Sequence, residues 1–285
     1  MSNFTVLYSG TPHEAAVISF SAWLAHGLNQ SVECRFVADP RSVLAGEQWW
    51  DYQAVVGLEG FTVTRPYMEE SYHAERIARE AEARTAFEQF ATAQGVRWGE
   101  CLDLVRTPEY ELSSLGFAHD LVFADFAANS EVLDLIVKQI LIEGGGPISL
   151  IKAAPRAATL NAATVVLAWK PVATAKRALQ AAIPILRAAG EVHVVSLADK
   201  GEAPPQPGAP EIADYLRDAH QVNVRSVVLP AQGGAPRQLA EYYENANADL
   251  LVMGGYSHSW LQELLFNGFT KYFVANHCAN VLLAH

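Results

Sequence analysis

The second half of the chain alternates short apolar runs with amphipathic stretches, and this alternation constrains the fold more than any other feature. Runs such as 163–169 are apolar without interruption, which is typical of strands buried on both faces. Strands are predicted at 163–169, 192–197, 222–229, 250–253 and 281–284, with helices at 173–187, 212–220, 238–245 and 260–276. The order βαβαβαβαβ implies a parallel sheet with right-handed crossovers and helices on both faces.

The first half repeats this order. Strands are predicted at 4–8, 32–37, 96–105, 121–123 and 148–151, with helices at 14–28, 72–93, 111–117 and 132–142. Segment 119–123 corresponds to 248–252, and 146–151 corresponds to 279–284, so the chain contains an internal duplication. We predict domains at 1–152 and 163–285, joined by an Ala-rich linker at 152–162, with an aromatic-rich insertion at 40–70 in the first domain.

Composition excludes several classes of protein. The 285 residues are enough for two domains, and a net charge of −11 argues against a basic nucleic-acid-binding face. Three widely spaced cysteines predict reduced thiols in the cytoplasm, and no apolar run approaches the length of a membrane span. The nine histidines show no HExxH spacing, and no Gly-x-Ser-x-Gly elbow is present, so we expect neither a metal site nor an enzyme.

The candidate site is a glycine turn between the strand at 250–253 and the closing helix. Backbone N–H groups at a helix start attract anions, and glycines let the backbone approach a phosphate closely or adopt positive φ. Four further side chains could add hydroxyl donors or positive charge: Ser257, His258, Ser259 and Thr270. Lys170 could reach the same anion from the end of the strand at 163–169. Alternatively, Ser257 or Ser259 only caps the helix, and the glycines only permit the turn. The first half has no such glycine turn at 124–129.

These residues resemble the universal stress protein family. Its nucleotide-binding members carry Gly-x2-Gly-x9-Gly-Ser/Thr after the fourth strand, and here the same spacing runs from Gly254 to Ser257 and on to Asn267 and Gly268. Ser257 and Asn267 therefore replace two of the three glycines. Segment 255–259 is also similar to the Gly/Ala-Tyr-Gly-His-Ser turn of proteobacterial tandem members. The resemblance covers the second half well and the first half weakly.

The resemblance implies two tandem, open-twisted, five-stranded parallel α/β domains. They would be Rossmann-like, of the adenine nucleotide α hydrolase type, and docked as a pseudo-dimer through 148–151 and 281–284. It also implies a cytoplasmic bacterial stress-response protein, without enzymatic activity, that binds ATP, ADP or AMP. The implied nucleotide-binding residues are Ala168, Trp169, Lys170, Val195, Met253, Gly254, Gly255, Ser257, His258, Ser259, Asn267, Gly268, Phe269 and Thr270. The acidic residue that the family places beside adenine is replaced by Lys170, and the first half lacks it at 9–11.

Two alternatives remain open from the sequence. One is a nucleotide-free scaffold that acts through self-association or a protein partner, using the last strands or Trp49 and Trp50 of the insertion. The other is an enzyme of the wider adenine-nucleotide α/β superfamily, for which the sequence offers no catalytic residue set. The partners implied are a nucleotide and the chain itself, as an intramolecular pseudo-dimer or a homodimer, with neither nucleic acid nor membrane.

Overall fold

A computed structural model describes residues 3–8, 14–38, 64–99, 101–103, 108–125, 130–198, 206–230, 234–255, 272–273 and 279–285. The strands of the first half are β1 (Phe4–Tyr8), β2 (Val32–Ala38), β3 (Arg97–Trp98), β4 (Leu102–Asp103), β5 (Leu121–Asp125) and β6 (Ile148–Ile151). Its helices are α1 (Glu14–Leu28), α2 (Thr64–Phe90), α3 (Pro108–Ala118) and α4 (Ser130–Val137). Helix α4 continues directly as a π-helical segment over Lys138–Glu143.

The second half follows the predicted alternation closely. Its strands are β7 (Thr164–Ala168), β8 (Glu191–Ala198), β9 (Val224–Pro230), β10 (Leu250–Gly254) and β11 (Val281–Ala284). Its helices are α5 (Ala173–Ala188), α6 (Ala209–His220) and α7 (Ala235–Asn245). Of the closing helix predicted at 260–276, the described residues Tyr272 and Phe273 are helical, and Phe273 is buried.

The eleven strands of the described residues belong to one sheet with the order β3-β2-β1-β5-β6-β11-β10-β7-β8-β9, and β4 also pairs with β2. Among the described strands, every pairing is parallel except that of β6 with β11, which run antiparallel with Leu150 opposite Val281 and Ile148 opposite Leu283. The two halves therefore join through their last strands, as predicted, and the α/β fold of a docked pseudo-dimer is confirmed.

The core consists of two apolar layers, one on each side of the sheet. Successive strand residues alternate between them, since Val165 and Leu167 lie in one layer and Val166 lies in the other. Each layer takes residues from both halves, so the core is continuous across the β6–β11 junction. Because one layer covers each face of the sheet, strands such as β1, β5, β6, β7 and β11 are apolar runs.

The connector between the halves is an ordered segment. Asp249 accepts hydrogen bonds from the backbone N–H groups of Arg156 and Ala157, at 2.7 and 2.9 Å, and from that of Thr164 at 3.2 Å. Asn280 accepts from the N–H groups of Lys152 and Ala153. Residues 152–164 are thus held against the amino ends of β10 and β11.

Three predictions for the first half were inexact. Within the described residues, the strand predicted at 96–105 is two short strands that both pair with β2, and the register shifts by one residue between them, since Trp98 lies opposite Cys34 and Leu102 lies opposite Val37. Helix α2 begins at Thr64, with Pro66 tolerated in its first turn, so 64–70 of the predicted insertion are helical. The helix predicted at 132–142 changes to π-geometry, with the Gly144 N–H donating to the Gln139 carbonyl. Trp49 and Trp50 lie outside the described residues.

Candidate functional site

The carboxyl ends of β7, β8 and β10 meet at one edge of the second half. Ala168 pairs with Val195, and Leu167 pairs with Val252, so Met253 follows beside Ala168. This is the edge at which open α/β sheets bind ligands. The structure therefore brings together the described residues that the sequence predicted for the site: Ala168, Trp169, Lys170, Val195, Met253, Gly254 and Gly255.

Gly254 lies directly against the first turn of α5. A Cβ atom at this position would lie 2.6 Å from the Ala175 nitrogen and 2.7 Å from the Thr174 Oγ1. Helix α5 has Val172 at its N-cap, with no side-chain cap and no acidic residue in its first turn. The first N–H groups of an α-helix have no partner within the helix, and the helix dipole favours negative charge there. The glycine thus brings the end of β10 to an uncapped helix start.

Gly255 is held by the neighbouring strand and by the first half. Its N–H donates to the Ala284 carbonyl at 2.9 Å, and a Cβ atom would lie 2.9 Å from Leu141 Cδ2. Neither Gly254 nor Gly255 has positive φ. Close packing, and not a left-handed backbone, is therefore the reason for glycine at these two described positions.

Trp169 and Lys170 differ in exposure. The Trp169 ring is buried, its Nε1–H donates to the Pro207 carbonyl at 2.7 Å, and its backbone N–H donates to the Val195 carbonyl at 2.7 Å. The Lys170 side chain is exposed, and its carbonyl accepts from the Val172 N–H at 2.8 Å. The indole is thus buried and hydrogen-bonded in the core, whereas the ammonium group is exposed at the sheet edge.

Two polar residues at this edge escaped the sequence analysis. Thr174 is buried beside Gly254, and the signal that could have found it is a hydroxyl residue in the first turn of a helix. Ser196 is buried at the residue after Val195, and its Oγ has no hydrogen-bond partner among the described residues. Sequence patterns do not distinguish Ser196 from its apolar neighbours, because only its surroundings reveal the unsatisfied hydroxyl.

The remaining predicted site residues lie outside the described residues: Ser257, His258, Ser259, Asn267, Gly268, Phe269 and Thr270. In the first half, β5 ends at the buried Asp125, and the predicted counterparts at 9–11 and 126–129 also lie outside. Within the described part of the chain, no group of three His, Cys, Asp or Glu residues could hold a metal ion. No helix described there is both long and apolar enough to cross a membrane.

Comparison with known proteins finds similarity in structure only. No protein-family model and no curated protein matches the sequence. A solved universal stress protein from Archaeoglobus fulgidus DSM 4304 superposes with a TM-score of 0.68 at 14% identity, covering 100% of this chain and 98% of that one. A functionally unknown protein from Pseudomonas aeruginosa PAO1 gives 0.54 at 11% identity, covering 99% and 92%. A putative universal stress protein from Pseudomonas aeruginosa UCBPP-PA14 gives 0.53 at 11% identity, covering 99% and 93%. The chain therefore has the tandem universal stress protein fold over its whole length.

Proposed function

We propose that this chain is a tandem universal stress protein that regulates a stress response by binding an adenine nucleotide in its second half. The nucleotide lies across the carboxyl ends of β7, β8 and β10, with its phosphates at the start of α5 and at the glycine turn. Binding, and not turnover, is the function, since the described residues at this edge offer no nucleophile with an orienting base.

The observation that carries the proposal is the contact between Gly254 and the first turn of α5. A side chain at residue 254 would overlap Ala175 and Thr174. Glycine therefore lets the backbone at the end of β10 lie against the backbone at the start of α5. This helix start has neither a side-chain cap nor an acidic residue. An uncapped helix start at the ligand-binding edge of an α/β sheet is a ready anion site.

The charge of this edge favours the phosphates over the base. Lys170 is exposed just after β7, at the position where the universal stress protein family carries a carboxylate beside adenine. The exposed ammonium group and the positive end of the helix dipole both attract anions. Affinity should therefore rise from adenosine through AMP and ADP to ATP, and should fall with added salt.

Calorimetric titration of protein purified free of nucleotide tests the proposal. We expect Lys170→Ala to weaken ATP binding about two- to fivefold, since an exposed charge contributes roughly 0.3–1 kcal/mol. Arg187→Ala, an exposed cation in the last turn of the same helix, serves as the control and should leave binding unchanged. Absence of heat with every nucleotide at millimolar concentration would refute nucleotide binding.

A second variant pair separates binding from folding. Gly254→Ala forces a methyl group against the start of α5 and should weaken ATP binding at least about tenfold, or roughly 1.4 kcal/mol. Gly190→Ala forces a comparable clash, 2.7 Å from the Asn161 carbonyl oxygen, at the opposite edge of the sheet. It should therefore reduce stability while leaving affinity unchanged. Equal affinity for ATP in Gly254→Ala and Gly190→Ala would show that Gly254 serves packing and not nucleotide binding.

The packing of both glycines favours one other candidate, a nucleotide-free scaffold. Gly254 and Gly255 each have a close neighbour that explains glycine without any ligand. The last strands are not free for an outside partner, because β6 and β11 pair with each other. Such a scaffold would associate elsewhere, and the predicted route through Trp49 and Trp50 is tested by light scattering of a double alanine variant. An unchanged mass would exclude that route.

A further inference from the structure

The antiparallel junction of the two halves brings part of the first half to the ligand-binding edge of the second. Because β6 and β11 run in opposite directions, the amino ends of the first-half strands lie beside the carboxyl ends of the second-half strands. Helix α4 follows the carboxyl end of β5 and leads to the amino end of β6, which pairs parallel with β5. The π-helical segment that continues this helix therefore lies at the edge that carries the glycine turn.

Leu141 of this π-helical segment lies against Gly255. A Cβ atom at residue 255 would lie 2.9 Å from Leu141 Cδ2, whereas the next nearest atoms, the Ala284 carbonyl oxygen and Leu283 Cβ, would lie at an ordinary contact distance of 3.7 Å. Gly255 does not have positive φ, so its backbone conformation would accept alanine. A single methyl group from the first half is thus the reason for glycine at residue 255.

The segment that carries Leu141 is fixed to α3 by contacts between the two backbones. A Cβ atom at Gly116 would lie 2.7 Å from the Ile140 carbonyl oxygen. A Cβ atom at Gly144 would lie 2.5 Å from the Ser113 carbonyl oxygen. Leu141 itself is fully buried. Its side chain therefore contacts the turn from a rigid support, and π-helical segments, which are rare, are frequent at functional sites.

We propose that Leu141 is a positioning residue for the nucleotide site of the second half. This inference rests on the proposed function and gives the first half a part in it. Leu141 and the start of α5 hold the two glycines from opposite faces of the sheet, because successive residues of a strand point to opposite faces. The turn is thereby fixed before the phosphates bind. A turn that is already ordered binds more tightly, since binding then costs less conformational entropy.

Loss of this contact should weaken nucleotide binding. In calorimetric titration we expect Leu141→Ala to weaken ATP binding about five- to thirtyfold, which corresponds to the cost of ordering the backbone of one residue. Leu133→Ala is the matched control, because Leu133 is buried in the same apolar layer and lies eight residues earlier, about 12 Å toward the opposite edge of the sheet. It should lower stability to a similar extent and leave ATP affinity unchanged. Urea unfolding verifies that both variants are folded under the conditions of the titration.

A second substitution should restore the contact. In Gly255→Ala the new methyl group overlaps Leu141 and displaces the turn, so ATP binding should weaken. In the double variant Leu141→Ala/Gly255→Ala, the same methyl group fills part of the space that the leucine leaves, on the face of the sheet opposite to α5. The double variant should therefore bind ATP at least about twofold more tightly than either single variant, the lower limit for the coupling of residues in contact. Two independent losses of affinity would instead add.

Hydrogen exchange of the ligand-free protein tests the same contact without nucleotide. The Gly255 N–H donates to the Ala284 carbonyl at 2.9 Å, so its exchange rate reports whether the turn stays on β11. We expect this amide to exchange at least about fivefold faster in Leu141→Ala than in Leu133→Ala, from the same ordering cost of one residue.

The two measurements separate this inference from the proposed function. A wild-type protein that binds no nucleotide would refute the proposed function, and the exchange comparison would still decide whether Leu141 holds the turn. The inference is overturned by equal exchange of Gly255 in the two leucine variants, by equal ATP affinity in them, or by a double variant without recovery.

Discussion

At the scale of single residues, His193 on β8 lies in a polar cluster beneath α7. Its side chain is 1% exposed, and its Nδ1 lies 3.1 Å from the Tyr242 hydroxyl and 3.5 Å from an Arg225 nitrogen. Its Nε2 lies 3.2 Å from Glu191. A Tyr242 hydroxyl that donates to Nδ1 suits the neutral ring, with its hydrogen on Nε2. Burial lowers the pKa of His193, and the nearby Arg225 lowers it further, while Glu191 opposes the shift.

This lowered pKa predicts a pH dependence of stability. Between the folded pKa and the ordinary value of about 6.5, the unfolded chain binds a proton that the folded chain does not, so stability falls as pH decreases through this window. His193→Gln should reduce the pH dependence of the free energy of unfolding by at most the value for one proton, which is about 1.4 kcal/mol per pH unit. Urea unfolding of the wild-type and variant proteins between about pH 5 and 8, a range that spans histidine titration, measures this pH dependence. Parallel curves would show that His193 is not the titrating group.

The glycines show what sequence reasoning about single residues can and cannot supply. The sequence predicts a glycine turn at Gly254 and Gly255 because the pair follows a buried strand and precedes a helix. Glycine permits both close backbone approach and positive φ, and positive φ does not apply to either residue. Their close neighbours, Thr174 and Ala175 for Gly254 and Leu141 for Gly255, come from distant parts of the sequence, and no local pattern identifies them.

At the scale of elements, the connector at 152–162 has a defined structure because two polar side chains bind its backbone N–H groups and because Leu160–Ala162 forms a 3-10 helix. Asp249 receives three backbone N–H groups from it and from the start of β7, and Asn280 receives two more. A buried carboxylate that accepts several hydrogen bonds, as Asp249 does, is costly to remove, since each donor loses its partner. The Ala-rich composition alone does not indicate this order.

Asp249→Ala should therefore destabilise the protein by about 3 kcal/mol or more, because charged hydrogen bonds contribute roughly 1.5–3 kcal/mol each and are not additive. The internal repeat supplies the control. Asp120 is the counterpart in the first half, but it is exposed and accepts from the Asn3 side chain, so Asp120→Ala should cost less than about 1 kcal/mol. Chemical denaturation measures both variants, and equal losses would contradict the role of the connector.

At the scale of the whole molecule, the antiparallel pairing of β6 with β11 makes one sheet from two repeats. Both apolar layers take residues from each half, and Leu141 of the first half contacts the glycine turn of the second. Because the contacts within each layer are continuous across the junction, we expect the two halves to unfold together. Cooperative unfolding is the usual behaviour of a single continuous core.

Ile148→Ala tests this coupling, since Ile148 is fully buried in β6 opposite Leu283. It should cost about 2–5 kcal/mol and should accelerate hydrogen exchange in both halves. Val228→Ala, on the exposed edge strand β9, is the control and should cost less than about 1 kcal/mol. Faster exchange confined to residues of the first half would show that the halves unfold independently.

Local patterns in the sequence predicted the order and type of the elements and the internal repeat, because apolar periodicity and buried β-branched runs are local signals. The pairing of the last strands was implied only by the resemblance to the universal stress protein family. Packing between distant segments determines how the strand predicted at 96–105 divides in two, why Gly254 is glycine, and which residues hold the connector. Each of these depends on an atom that is distant in sequence but near in space. A pattern in one segment does not contain the position of such an atom, so packing had to supply it.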